Sequence, residues 1–210
     1  MKKLCIVAVA TILLFGMGSI DSARAWNWDL GVRGGVSDGT GDFGDAAKTA
    51  FAWSLYLEYD FTPGLSLIGR YGRHVHGISS DFQRFAGLVN PGTLAGNNLI
   101  GDFFINELAA DLKFSFPLSP KWRLYVQGGP GYYIWDLDLA FDTSEVEIST
   151  PGADGSDFGL NGGGGLEYVI NPEVSVTVDA DYTYIYGDFE DGFWGIYAGF
   201  IFHFGRDLYK

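Results

Sequence analysis

Two histidines and two serines lie close together in the sequence, beside an aspartate. His74 and His76 are followed by Ser79, Ser80 and Asp81. A histidine within hydrogen-bond reach of a serine hydroxyl, with a third group orienting it, can activate the serine as a nucleophile. The run has no diagnostic spacing, and the alternative is a polar strand end that leads into a loop. We therefore expect no enzyme activity from this group.

A second group that could carry chemistry is acidic. Between Leu124 and Gly205 the chain has fourteen Asp and Glu residues and neither Lys nor Arg. Asp188, Glu190 and Asp191 form a tight cluster within this stretch. Calcium prefers about six to eight oxygen ligands, but no calcium-loop motif is present. We expect a solvated acidic surface that divalent cations neutralise loosely, with no specific metal site and no cofactor.

The overall composition excludes two classes of protein. The formal net charge is −13, which argues against nucleic-acid binding because that function needs a basic surface. Hydrophobic residues make up 47% and aromatic residues 17% of the chain, and such a sequence is not expected to be disordered.

The N-terminus has the three parts of a secretory signal peptide. Lys2 and Lys3 precede an apolar stretch over residues 4–18, and Ala23-Arg24-Ala25 forms a cleavage site between small residues. We expect a signal peptide over residues 1–25, a single domain over 26–204 and a short tail over 205–210. The one cysteine, Cys5, lies in the signal, so the mature chain should have no disulfide.

Residues 174–186 alternate strictly between two kinds of side chain. The even positions are Val, Ala or Tyr, and the odd positions are polar except for Ile185. Thirteen residues are long for a strand in a soluble protein but match a tilted strand that crosses a bilayer. Aromatic residues at the end of the segment would lie at the membrane interface.

Proline turns divide the chain into similar units. Pro63, Pro117 and Pro172 each lie in a short turn, and two strand-like stretches separated by a longer polar piece fall between successive turns. Short turns on one side and long loops on the other are typical of bacterial outer-membrane barrels. We predict an all-β, eight-stranded antiparallel up-and-down transmembrane barrel, with strands over residues 27–37, 50–61, 65–74, 104–116, 122–135, 158–170, 174–186 and 193–204.

Charged residues occupy the opposite face of these strands from the large apolar residues. They are Arg33, Glu58, Arg70, Glu107, Asp111, Lys113, Arg123, Glu167, Asp179 and Asp181. A lipid-facing Arg or Lys near the membrane centre would cost about 2–4 kcal/mol, whereas inside the barrel it can pair. Because eight strands enclose a space that side chains fill, we predict an ion-pair network across the lumen. The acids of the sixth and seventh strands should pair mainly with Arg33, Arg70, Lys113 and Arg123.

A soluble lipocalin-like barrel or sandwich shows the same alternation with the two faces exchanged. The membrane alternative is favoured because the charges share a face with glycines, aromatic residues gather at strand ends, and the mature chain lacks cysteine. The long segment over residues 75–102 is interpreted as a surface loop.

The closing segment resembles the β-signal of outer-membrane proteins. Gly199-Phe200-Ile201-Phe202-His203-Phe204 places a glycine before alternating aromatic or apolar residues. On this motif and the strand pattern, the chain resembles the small outer-membrane barrels that include OmpA-, OmpX- and OmpW-like proteins. The resemblance implies that the barrel assembly machinery reads Gly199, Phe202 and Phe204. Six residues follow Phe204, whereas family members often end on the aromatic residue.

The resemblance implies a place in the outer membrane of a Gram-negative bacterium after Sec-dependent export. The expected role is structural or interactive, in membrane integrity, adhesion or surface binding. A channel for small or hydrophobic solutes, as in OmpW-like proteins, is one alternative, and a lipid A-modifying enzyme is another. Expected partners are outer-membrane lipids, lipopolysaccharide and the assembly machinery, with no nucleic acid, and we expect a monomer.

Overall fold

The computed structural model describes residues 28–62, 64–79, 98–142, 147–150, 154–187 and 190–204, and most of them lie in strands. The elements are β1 (Trp28–Gly39), α1 (Gly41–Ala46), β2 (Ala50–Thr62), β3 (Leu65–Gly77), β4 (Asn98–Pro117), β5 (Trp122–Asp142), β6 (Glu147–Thr150), β7 (Asp154–Asn171), β8 (Val174–Ile185) and β9 (Asp191–Phe204). The predicted signal peptide and C-terminal tail lie outside the described residues.

The strands close into an antiparallel barrel. Their order is β4-β3-β2-β1-β9-β8-β7-β5, and β4 also pairs with β5, which completes the circle. The short strand β6 pairs only with the outer end of β5. The predicted eight-stranded up-and-down barrel is therefore confirmed. Among the residues that the structure describes, no helix is long and apolar enough to cross a bilayer.

Strand β8 shows how the alternating sequence sets the two faces of the wall. Val178 is 59% exposed on the outside, whereas its neighbour Asp179 is 4% exposed and points inward. Successive side chains of a strand lie on opposite faces, so the apolar and polar series separate, with Ile185 as the one apolar residue at an inward position. The same separation recurs around the barrel, and the outer surface is built from aliphatic and aromatic side chains.

Aromatic residues form two bands on the outside of the barrel. At the end with the short turns, Trp28 packs against Tyr59 and Trp122 against Tyr168, with ring centroids 4.7 and 4.8 Å apart. At the other end the aromatic pairs are Trp53–Tyr71, Tyr132–Phe158 and Tyr184–Tyr186. Two aromatic bands around an apolar wall are the pattern of a membrane-spanning barrel, because amphipathic rings favour the interface.

Several strands extend further outward than the sequence predicted. Strand β3 continues to Gly77, β4 begins at Asn98, β5 continues to Asp142 and β7 begins at Asp154. The predicted boundaries near residues 74, 104, 135 and 158 were wrong because they followed the apolar pattern. Backbone pairing needs no apolar side chains, and the ladder continues where Asp102 lies opposite Asp138. The predicted loop over 75–102 is correspondingly shorter, and residues 80–97 lie outside the described part.

Gly163 allows β7 to approach β8 where the inward carboxylates lie. It is in register with Asp181, and a Cβ atom at position 163 would lie 2.7 Å from the Cα and Cβ atoms of Asp181. The next residue back, Gly162, faces outward, and the nearest atom to its Cβ position is a backbone oxygen 3.9 Å away. The two adjacent glycines therefore lie on opposite faces of β7, and only Gly163 lacks space for a methyl group.

We predict that Gly163→Ala lowers the free energy of unfolding by about 1–3 kcal/mol because the added methyl group overpacks the interior. The matched variant Gly162→Ala should stay within about 0.5 kcal/mol of the wild type. Urea unfolding of vesicle-inserted protein, followed by tryptophan fluorescence, measures both values. Equal stability of the two variants would contradict the assigned faces of β7.

Candidate functional site in the barrel interior

Arg33 of β1 lies at the centre of the interior network. Its guanidinium group forms ion pairs with Asp179 and Asp181 of β8, and the distance from Nη2 to Asp181 Oδ2 is 2.7 Å. Its Nε donates a hydrogen bond to Ser54 Oγ at 2.8 Å. The guanidinium carbon also lies 4.1 Å from the centre of the Tyr197 ring. Arg33 thereby connects β1 to β2, β8 and β9 across the barrel interior.

Arg70 of β3 forms the second centre. Its Nη2 lies 2.7 Å from Glu107 Oε1 and 3.3 Å from Asp111 Oδ2, both on β4. Its Nη1 lies 3.5 Å from Asp181 Oδ2, the same oxygen that Arg33 contacts. Asp181 therefore joins the two arginines, and one connected network extends from β4 through β3 and β1 to β8.

Smaller groups of charges lie nearer the end with the short turns. Lys113 Nζ donates to Glu58 Oε2 at 2.9 Å, and Arg123 Nη1 donates to Glu167 Oε1 at 3.3 Å. Arg123 is the most accessible of these cations, with a side chain that is 23% exposed. The structure thus places all ten charged residues of the predicted network in the interior and gives each at least one partner of opposite charge.

Three carboxylates at the same end come close enough to share a cation. Oxygens of Asp29, Glu58 and Asp60 lie within 4.8 Å of one another. Each is already in contact with a donor from the chain. Glu58 pairs with Lys113, His203 Nδ1 lies 3.0 Å from Asp29 Oδ1, and Ser66 Oγ donates to Asp60 Oδ1 at 2.6 Å. Each of the three carboxylates therefore has a polar contact with another residue of the chain.

Little space remains between the charged side chains. A residual cavity of about 10 Å³ lies between the two arginines, and this volume holds roughly one water molecule. Its lining consists of Arg33, Tyr56, Ile68, Arg70, Tyr125, Gln127 and Asp179. The described interior is therefore a packed core of polar groups, and it has no room for a column of solvent at this level.

The histidines lie above this network and face inward. His74 Nδ1 lies 3.0 Å from Ser37 Oγ, and His76 Nε2 lies 3.4 Å from the same hydroxyl. His74 Nε2 is also 3.5 Å from Glu107 Oε2. Both histidines lie at the outer end of β3, the polar strand end that the sequence indicated, and the alternation of the strand buries their rings.

Ser79, which follows these histidines in the sequence, contacts another part of the chain. Ser79 Oγ donates to the carbonyl oxygen of Asp45 at 2.5 Å, on the chain segment around the end of α1. Ser80 and Asp81 lie outside the described residues. Ser37 of β1 contacts the histidines, because β1 and β3 lie on either side of β2 and all three side chains point inward.

The short helix α1 folds over the outer end of the barrel. Phe43 is 8% exposed and packs against the rings of His76 and Phe103, with centroids 5.0 and 5.1 Å away. Its backbone N–H donates to Asp191 Oδ2 at 2.6 Å, so one acid of the predicted loop cluster holds the helix in place. Phe43 belongs to an apolar cluster with Ala47, Ile105, Tyr133, Ile185 and Phe193.

Sequence reasoning missed several interior residues. Ser37, Asp29 and Asp60 all lie on the inward positions of predicted strands or at their ends, so extending the alternation would have found them. Phe43 had no such signal, because a six-residue helix between two strands leaves no periodic pattern. The predicted β-signal residues Gly199, Phe202 and Phe204 lie on β9, with both phenylalanines exposed on the outer face.

Comparison with known proteins gives one family and several similar folds. Residues 10–202 match the family model described as "Outer membrane protein beta-barrel domain". No curated protein sequence matches the chain.

Three solved structures illustrate the similarity of fold. Neisserial surface protein A is 14% identical with a TM-score of 0.54, and the match covers 84% of this chain and 97% of that one. A major outer membrane protein from Thermus thermophilus is 14% identical with a TM-score of 0.52, covering 84% and 99%. Ail, the attachment invasion locus protein of Yersinia pestis, was solved with the heparin analogue sucrose octasulfate. It is 20% identical with a TM-score of 0.50, covering 85% and 100%.

We predict that the central Arg33 and the more accessible Arg123 differ in their effect on stability. Arg33→Ala leaves the buried Asp179 without a cation and Asp181 with only its 3.5 Å contact to Arg70, and it should lower the free energy of unfolding by about 3–5 kcal/mol. Arg123→Ala removes a partly exposed pair and should cost only about 1 kcal/mol. Urea unfolding in lipid vesicles measures both losses. Unchanged stability of the Arg33 variant would show that the central network does not hold the barrel together.

Proposed function

This chain belongs to the outer membrane protein β-barrel domain family, and we propose that within it the protein acts as a closed surface protein with a structural or interactive role. This proposal is based on the filled interior of the barrel. A channel needs a continuous aqueous path, whereas the space between Arg33 and Arg70 holds about one water molecule. A protein that spans the membrane without a path must act through its surfaces.

Two successive layers support a closed state. The lower layer is the network around Arg33 and Arg70, in which an ion would have to separate paired charges. The upper layer is the apolar cluster around Phe43, which would repel an ion because an unpaired charge is costly in apolar surroundings. Opening the barrel would require rearrangement of both layers.

The two alternatives receive less support. Uptake of a hydrophobic solute through the wall would need a lateral gap, but in the described ladders every barrel strand pairs with both of its neighbours. Lipid A modification would need a histidine and a serine at the lipid interface. Both histidines instead face the interior, and Ser79 contacts Asp45.

The outer end offers an acidic surface for interactions. Asp102 and Asp138 lie directly opposite each other on neighbouring strands, as do Asp136 and Asp154. Like charges in direct cross-strand register repel, so cations should be attracted to this surface. Partners with cationic groups, or divalent cations bridging to lipopolysaccharide, fit it better than polyanions do. The ligand of the Ail complex, a heparin analogue, is therefore not expected to bind here.

Membership of the family also suggests how the protein reaches this place. We propose Sec-dependent export directed by residues 1–25, followed by insertion through the barrel assembly machinery. Gly199, Phe202 and Phe204 would be read during that step, and the exposed rings of the two phenylalanines are available for such recognition. The inserted protein is expected to be a monomer.

We predict that the folded full-length protein produces no stable conductance steps in a planar lipid bilayer in molar potassium chloride. An open porin added to the same bilayer serves as the control for insertion and detection. Discrete steps whose size grows with salt concentration would contradict the closed barrel and favour the solute channel.

We also predict that vesicles carrying the protein do not bind immobilised heparin at physiological ionic strength, because the outer surface is acidic. The same vesicles should bind an oligolysine surface, and the binding should weaken as salt is added. Heparin retention comparable to that on oligolysine would contradict the proposed surface chemistry.

A further inference from the structure

One arginine, Arg73, points outward from the barrel wall and does not belong to the interior network. Arg73 occupies an odd position of β3, and the neighbouring odd positions Leu67 and Tyr71 are exposed to the outside. In the strands that the structure describes, Arg73 is the only Lys or Arg on this outward face. The carboxylates that pair with Arg33 and Arg70 lie inside the barrel, so they cannot pair with Arg73.

Among the residues that the structure describes, Arg73 has an aromatic contact and no ion pair. Its guanidinium carbon lies 4.9 Å from the centre of the Phe104 ring. No described carboxylate lies within ion-pair distance of it. Asp136, an outward acid at this height, is opposite Phe104 on β5 and is separated from Arg73 by β4. A cation on the membrane-facing wall without an acid nearby points to an anion from outside the chain.

The residues on both sides of Arg73 are also hydrogen-bond donors. Trp53 of β2 and Asn106 of β4 lie directly opposite Arg73 in the two ladders, so the three side chains form a row across neighbouring strands. The Tyr71 hydroxyl donates to Asn106 Oδ1 at 3.2 Å. That bond occupies the carbonyl oxygen of the amide and leaves its NH₂ group for another acceptor. The row therefore offers a guanidinium, an indole N–H and an amide N–H.

The position of the row in the membrane indicates which kind of anion it can contact. Trp53 and Tyr71 form one pair of the outer aromatic band, with centroids 5.8 Å apart, so the row lies at the membrane interface on the side away from the short turns. Lipid headgroups occupy this level. A guanidinium matches the oxygens of a phosphate with two parallel hydrogen bonds, and flanking N–H donors add to that match.

We propose that Trp53, Arg73 and Asn106 bind a phosphate group of lipopolysaccharide in the outer leaflet. The guanidinium group of Arg73 contacts two phosphate oxygens, and the flanking N–H groups contact the remaining oxygen atoms. Phe104 holds the guanidinium group against the wall. The proposal rests on the outer-membrane placement above and is independent of whether the interior conducts, so the bilayer experiment and the experiment below can fail separately.

The test titrates purified lipopolysaccharide into the folded full-length protein in a neutral detergent. Arg73→Gln removes the charge, and Lys48→Gln is the matched control because Lys48 is exposed but lies beyond the strand wall. Retention of the fast mobility of unheated protein in electrophoresis checks that each variant is folded. Trp53→Phe keeps the ring and removes the N–H, and it provides a second variant should Arg73→Gln fail to fold.

Arg73→Gln should weaken binding about tenfold because a charge-assisted pair is lost, and Trp53→Phe should weaken it about threefold. Lys48→Gln should leave the affinity unchanged. With lipopolysaccharide stripped of its phosphates, wild type and Arg73→Gln should bind equally. Equal binding of intact lipopolysaccharide by these two proteins would overturn the proposal. An equal loss in the Lys48 variant, or the same tenfold effect with phosphatidylglycerol vesicles, would overturn it as well.

Discussion

Charges enclosed in a narrow barrel must neutralise one another, and the rest of this structure depends on that constraint. Eight strands surround a space that side chains fill, so water cannot solvate the charges within it. Arg33 and Arg70 therefore each contact two or more carboxylates, and Asp181 contacts both of them. The same constraint explains the glycines opposite the carboxylates, since Gly163 gives Asp181 the room that a larger residue would take.

Much of the fold could be predicted from the sequence because a membrane-spanning strand must alternate apolar and polar side chains with a period of two residues. Residues 174–186 alternate so regularly that the faces of β8 follow without ambiguity. The prediction that acids of β7 and β8 pair with cations of earlier strands agrees with the contacts of Asp179, Asp181 and Glu167. The partner of Glu167 is Arg123 on the neighbouring strand β5, however, so this pair does not cross the lumen. Which cation meets which acid was not predictable, because it depends on the shear of the barrel and on side-chain length.

The outer end could not be predicted for a different reason. Beyond the membrane the outer face of a strand need not be apolar, so the alternating pattern no longer marks the strand. The backbone ladder nevertheless continues through acidic residues such as Asp102 and Asp138. The helix α1 is too short to leave a periodic signal, yet its Phe43 packs against His76 at the outer end of the barrel. The burial of His74 and His76 was not predicted, because the apolar pattern of β3 weakens before the strand ends. Local sequence patterns therefore predict the strands of the barrel wall well and the packing at its outer end poorly.

A double-mutant cycle on Arg33 and Asp179 tests the central claim most directly. The variants Arg33→Met, Asp179→Asn and their combination are unfolded in urea from the same vesicles, and the coupling free energy is calculated from the four stabilities. The account predicts a favourable coupling of about 1–3 kcal/mol, because the two charges depend on each other in a space without solvent. Additive losses, with a coupling near zero, would contradict an interior held together by paired charges.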